Sequence, residues 1–435
     1  MITRPRSKRS GVLNQLTAEG VGLWLDDYHR GRLADGGLER LVAGGLLGGV
    51  VSRPAAVARA MSDSTVYGDQ LNRLSGTVAS AEDRVYAILA EDARAACTAL
   101  EPVFRATKGM HGWVSLGIAP RPAADAEAMA DHSGRLAQID HSGRLTEIDH
   151  SGRLAEIDHS ERLAQIDHSG RLAQIDHSGR LAQIDHSERL AEMVDHSRRL
   201  AEMVDRPNVL IRIPVAGRGL AAVGDVLAHG VAVHVTSVYS VQRYAQAVEA
   251  YFHGLERAAA GGHAASAVAS LVSLDIGRLD ARVDALLDGS ADPGAATLRG
   301  QAGVATARLV YRRYEESLGC PHWRSLVAEG ARPQRLLWTS ENTPESARAA
   351  LDRVERLIAW MTLHALPQPA LEALNRREGF HGDTLSGEHG AACRVVEALG
   401  EVGVVLDSVA RDLEAAATAS ECAAWDRLLT AVQAG

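Results

Sequence analysis

Residues 208–214 read Asn-Val-Leu-Ile-Arg-Ile-Pro. The run is apolar, rich in β-branched side chains and closed by proline, the pattern of a short buried strand. One charged side chain, Arg212, stands in its middle. A buried charge is costly unless something pairs with it, so this position demands a partner or a role.

The chain around that strand has the bulk of a large globular domain. It has 435 residues, 46% of them hydrophobic and 23% charged, enough for one barrel-sized domain. The net charge of −9 gives no electrostatic support to a nucleic-acid role. The basic stretch Met1–Ser10 leads into no apolar segment, so it does not read as a signal peptide. No run of about 18 apolar residues exists, so no membrane span is expected. Cys97, Cys320, Cys393 and Cys422 show neither metal nor redox spacing and read as reduced thiols of a cytoplasmic protein. Only two of the 46 basic residues are lysines, Lys8 and Lys108.

Outward from 208–214, short strand-like runs alternate with helical ones. Strands are expected at 21–27, 48–53, 113–119, 208–214, 231–239, from 270, at 333–340 and near Leu357–Leu363. A helix is expected to start at Ser240, with Tyr244, Val248, Tyr251 and Leu255 on its apolar face. Eight alternations predict an α/β fold of the (β/α)8 TIM-barrel type. Trp24, Trp338 and Trp360 are expected in the core or a pocket wall.

Between the third and fourth strands the sequence turns repetitive. Asp131–Ile184 holds six nine-residue units of the form Asp-His-Ser-[Gly/Glu]-Arg-Leu-[Ala/Thr]-[Gln/Glu]-Ile, followed by two ten-residue variants. Nine residues make about 2.5 helical turns, so a helix of these units would carry no single apolar stripe. Histidines on one face would lie about 27 Å apart, too far to share a metal. The expected organisation is a tail at 1–12, barrel at 13–130, a repeat insertion at 131–184 forming a long helix or mobile arm, and barrel with closing helices at 185–435.

The motifs carry a family resemblance. Asp205-Arg-Pro-Asn-Val-Leu-Ile-Arg-Ile-Pro214 resembles the fourth-strand motif of the transaldolase family, D-R-P-N-[LV]-x-I-K-I-P. Gly20–Asp26, Gly48–Pro54, Trp113–Ala119, Val231–Ser240, Ser270–Asp280, Pro333–Ser340 and Gly382–Gly387 resemble the family's other strand and loop motifs. The resemblance implies a pentose-phosphate-pathway transferase acting on sedoheptulose 7-phosphate and glyceraldehyde 3-phosphate through a lysine Schiff base. Arg212 stands at that lysine, Arg53 and His234 at two asparagines, and Gly117 at a glutamate. Asp26 matches the family's acid–base residue, Thr236 its strand-five threonine, and Ser273, Arg278 and Ser340 its phosphate-binding end. The catalytic candidates are thus Arg212, Asp26, His234 and Thr236, and the substrate-binding ones Arg53, Ser273, Arg278 and Ser340. No metal and no cofactor is expected.

Arginine stays protonated and cannot form the Schiff base. The expectation is therefore a barrel without that activity, a pseudoenzyme or a protein binding a sugar phosphate or similar anion. The alternatives are non-Schiff-base chemistry on a phosphorylated or carboxylated small molecule in a specialised pathway, with His234 and Asp26 as the acid–base pair, or a scaffold whose repeat arm does the work. Arg212 and Arg53 are expected either to pair with Asp26 and Asp275 or to line an anion pocket. With Arg278 they would leave the mouth net positive. Self-association is left open.

Overall fold

Eight parallel strands close on themselves in the computed structural model of the chain. Residues 11–120 and 190–434 are described, apart from 46, 64, 76–79, 218, 341–345, 375 and 378. Of the stretch between, 138–139, 145–148 and 154–155 are described. The barrel strands are β1 (Gly22–Tyr28), β2 (Gly49–Ser52), β3 (Trp113–Gly117), β4 (Val209–Pro214), β5 (Val233–Val238), β6 (Ser270–Asp275), β7 (Arg335–Thr339) and β8 (Thr362–Leu366). Each pairs with its neighbours in chain order, and β8 closes on β1. No described helix is long and apolar enough to cross a membrane.

The alternation of side chains across each strand sorts the core into two layers. Trp24, Val51, Trp113, Leu210, Leu271, Leu337, Leu363 and Ala365 fill the barrel interior. Val209, Ile211 and Ile213 pack outward under the helices. Arg212, two residues on from Leu210, therefore turns inward. The helix Val241–Ala260 begins where the sequence expects it. Ser240 accepts a hydrogen bond from the Arg243 amide, and Tyr244, Val248, Tyr251 and Leu255 are buried.

Three expectations need correction. The eighth strand is Thr362–Leu366, not 357–363. Leu357, Ile358 and Ala359 are fully buried, but they form a loop against the segment 382–387. The Ile358 amide donates to Thr384 Oγ1 at 3.0 Å, and the Thr384 amide donates to the Ile358 carbonyl at 2.8 Å. A buried apolar run reads as strand in sequence because burial alone does not distinguish strand from loop. Trp360 is 53% exposed and lies in no core, whereas Trp24 and Trp338 are enclosed.

The third correction concerns the repeats. Gln138–Ile139, Leu145–Ile148 and Leu154–Ala155 are short strands that pair antiparallel, Ile139 opposite Leu145 and Ile148 opposite Leu154. These described residues are strand, so the long helix does not form there. Each Asp-His-Ser-Gly-Arg stretch supplies turn-forming residues between short apolar runs, which favours hairpins over helix. The rest of the repeats, and Lys8, lie outside the described residues. Residues 190–204 form a helix. It buries Met193, Leu200 and Val204 against the main core.

Candidate functional site at the barrel mouth

The C-terminal ends of the strands gather the candidate side chains, and two of those ends are irregular. The β1–β2 register shifts between Leu25 and Tyr28, and Asp27 has φ of 67°. The β5–β6 register shifts between Val235 and Val238, and Ser237 has φ of 63°. Bulges with non-glycine residues in the left-handed region cost energy and recur beside sites where a side chain must be re-aimed. Here they flank Asp26 and Thr236.

Asp26 and Arg53 form one cluster. Arg53 Nε and Nη2 each donate to one Asp26 carboxylate oxygen at 2.7 Å, a two-pronged pair only 14% and 8% exposed. This pairing is one of the two arrangements the sequence leaves open.

Arg212 finds a partner that the sequence did not suggest. Its Nη2 lies 2.7 Å from Glu421 Oε1. Glu421 belongs to the C-terminal helix, Leu406–Ala434. The C-terminal helix is fixed at a second point by Glu414, which accepts from Arg243 Nε at 2.9 Å and Nη2 at 2.5 Å. Buried Trp425 packs on Tyr86 with ring centroids 5.4 Å apart. Arg212 and Glu421 line a small cavity with Pro54, Gly117, Ile118, Pro120 and Pro214. A Cβ added at Gly117 would meet nothing closer than Pro54 at 4.0 Å, so space is not what excludes a side chain there.

His234 is fully buried one strand further round, in register with Arg212. Its Nδ1 lies 2.6 Å from Ser115 Oγ, a contact within the barrel interior. Thr236 is paired with Pro214 in register, and its hydroxyl is buried without a hydrogen-bond partner among the described residues. Asp26 is bound to Arg53.

Ser273, Asp275, Arg278 and Ser340 lie at the ends of β6 and β7. Asp275 caps the helix Ile276–Asp288, accepting from the Arg278 amide at 3.1 Å. Ser340 presses on the first turn of that helix, where a Cβ on Gly277 would collide with its hydroxyl. The Ser340 hydroxyl is buried without a hydrogen-bond partner, and the Arg278 guanidinium makes no ion pair, among the described residues.

Two relatives and one family model bear on this arrangement. The model for Transaldolase/Fructose-6-phosphate aldolase matches residues 23–146 and 145–432. The chain belongs to the transaldolase family. The transaldolase of Acidothermus cellulolyticus is 32% identical over 97% of this chain and 95% of its own length. That of Frankia alni is 32% identical over 97% and 96%. The transaldolase-family match divides at 145–146, inside the repeats that separate β3 from β4.

At the mouth Arg53 and Arg212 hold the carboxylates of Asp26 and Glu421, while Asp275 accepts from the Arg278 backbone amide. Glu421 escaped the sequence reading because it is 209 residues from Arg212 on a helix with no local motif. Ser115 was within the quoted third-strand motif, but its tie to His234 depends on two strands meeting across the barrel. Lys108 is exposed just before β3, at the opposite end of the barrel, as its position in sequence indicated.

Proposed function

We propose that this member of the transaldolase family has lost Schiff-base catalysis and serves as a non-catalytic homologue that retains a corner for a phosphate or carboxylate anion. The observation that carries the reading is the fourth-strand position itself. Arg212 occupies it, is 6% exposed and is held by Glu421. A Schiff base needs a neutral primary amine, which a buried lysine supplies by losing its proton. A guanidinium keeps its charge, and a carboxylate beside it favours the charged form further. Among the described residues the one lysine is Lys108, away from the mouth.

The nominal activity of the family, between sedoheptulose 7-phosphate and glyceraldehyde 3-phosphate, is therefore expected to be absent. Turnover assays and borohydride trapping with fructose 6-phosphate test this on the full chain. The expected outcome is no turnover and no reduced dihydroxyacetone adduct by mass. An adduct on the unmutated protein would overturn the reading. Arg212→Lys alone is expected to restore little, because the new amine would still face Glu421, Gly117 and the Arg53–Asp26 pair.

The anion corner rests on different residues. Arg278 and the Ser340 hydroxyl have no protein partner for their side chains among the described residues, and Ser273 lies on the adjoining strand end. A guanidinium beside hydroxyls suits a phosphate or carboxylate. Calorimetry with inorganic phosphate and with sugar phosphates should show binding that Arg278→Ala abolishes. No heat at millimolar ligand, or unchanged affinity in the variant, would remove the anion from the proposal and leave the loss of catalysis standing.

A further inference from the structure

On the flank of the barrel, away from the mouth, two helices bring three metal-binding side chains together. His253 and Glu256 lie three residues apart on the helix Val241–Ala260, so they share one face. That helix buries Tyr251, Phe252 and Leu255, which turns His253 and Glu256 to the solvent. His322 is the second residue of the helix Pro321–Ala328. The Cys320 sulfur caps this helix, accepting from the Trp323 amide at 3.4 Å. Phe252 docks the two helices. Its ring stacks on Trp323 at 5.3 Å and meets His322 edge-on at 5.3 Å.

The donors converge. Glu256 Oε1 lies 2.8 Å from His322 Nε2, and Glu256 Oε2 lies 3.1 Å from His253 Nδ1. One donor atom from each of the three residues lies within 4.8 Å of the other two. Two imidazoles and a carboxylate are a donor set for zinc, with metal–ligand distances of about 2.0–2.2 Å. An ion between donors this close would need only small side-chain rotations. Side-chain exposures of 66% for His253, 49% for Glu256 and 34% for His322 leave the remaining coordination positions to water.

We propose that His253, Glu256 and His322 form a surface site for a divalent transition-metal ion, with zinc as the matching ion. The ion replaces the two His–Glu contacts and links the helix that follows β5 to the short helix that leads into β7. The site is separate from the anion corner and does not depend on whether the mouth is catalytic. Its cue in the sequence is His-x-x-Glu at helical spacing. The repeat histidines lack that spacing, because they recur every nine or ten residues.

The repeats also make a simple count of bound metal ambiguous, so the test must resolve individual histidines. The full chain, stripped with a chelator, is titrated with zinc chloride and acylated with diethyl pyrocarbonate. Peptide mapping then reads each histidine separately. His253 and His322 should become protected together, by about tenfold once free zinc exceeds the dissociation constant about tenfold. His322→Ala should abolish protection of His253, and Glu256→Gln should raise the zinc concentration required. These residues are on the surface, so the variants are expected to fold, and an unchanged melting profile without zinc checks it. Equal modification of His253 with and without zinc overturns the proposal, as does protection confined to the repeat histidines. Protection of His253 that survives His322→Ala overturns it as well.

Discussion

At the N-terminal end of the barrel Arg335 is buried and has no carboxylate partner among the described residues; at the C-terminal mouth Arg53 and Arg212 are buried to a similar degree and each holds one. Arg335 is answered by backbone. It donates to the carbonyls of Met110 at 2.7 Å, Met361 at 3.4 Å and Thr362 at 3.4 Å. Burial pushes its guanidinium down to about 10. Carbonyls cannot be exchanged by mutation and belong to the chain's own turns. An arginine held this way ties strand entries together. The mouth uses side chains, and one of them comes from the far end of the chain. That arrangement can be taken apart one residue at a time.

The comparison breaks most visibly at Arg335. Arg335→Met should cost about 3–5 kcal/mol, because several buried carbonyls lose their donor. The urea midpoint reads it. A loss under about 1 kcal/mol would mean that the two ends do not differ in this way.

At the mouth the effect should be smaller and reversible by design. Glu421→Ala removes a carboxylate from buried Arg212 and should cost about 2 kcal/mol, discounted because Glu421 is partly exposed. Arg212→Met with Glu421→Leu should return to within about 1 kcal/mol of the parent, since an apolar pair of similar volume needs no compensation. If the double variant is as unstable as Glu421→Ala, the ion pair is doing more than neutralising itself.

A fourth, partly buried arginine sharpens the comparison through pH. Arg30 Nε donates to Asp92 Oδ1 at 2.6 Å behind β1. Burial raises the Asp92 carboxyl from 3.8 to about 6, against the opposing pull of Arg30. Its folded form therefore holds a proton more readily than its unfolded form. The stability it contributes is present below about pH 4 and lost as pH rises through about 6. His364 on β8 works in the opposite sense. Burial lowers it to about 3, so the stability it contributes is present above pH 6.5 and lost as pH falls toward 3. The readout is thus a difference. Asp92→Asn should make stability rise more steeply, relative to the parent, between pH 4 and 6. An unchanged difference across that window would show that Arg30 fully compensates Asp92.

The smallest effect is expected from a deletion that belongs to neither end. Joining Ala130 to Asp185 removes the nine-residue units and should change stability by under about 1 kcal/mol, because loop-closure entropy varies slowly with length. A much lower melting temperature would show that the repeats pack against the barrel.

Much of this fold is legible in the chain because strand and helix periods are local. Asn208–Pro214 and Val233–Val238 announce themselves by β-branched runs, and Ser240 announces its helix by capping chemistry. The eighth strand failed for the same reason in reverse, since buried loop residues 357–359 look like strand in one dimension. The repeats failed because helix breakers and apolar spacing do not say which non-helical backbone replaces the helix. Arginine at 212, the scarcity of lysine and the spacing of Ser273 to Arg278 were fixed by sequence, and with them the expectation that Schiff-base chemistry is missing. Which carboxylate meets Arg212 was not. That is decided only when a C-terminal helix, anchored by Trp425 and Glu414, lays Glu421 across the mouth. The charge balance of the site is likewise a tertiary property, because an ion pair depends on distance in space, and Glu421 stands 209 residues from its partner along the chain.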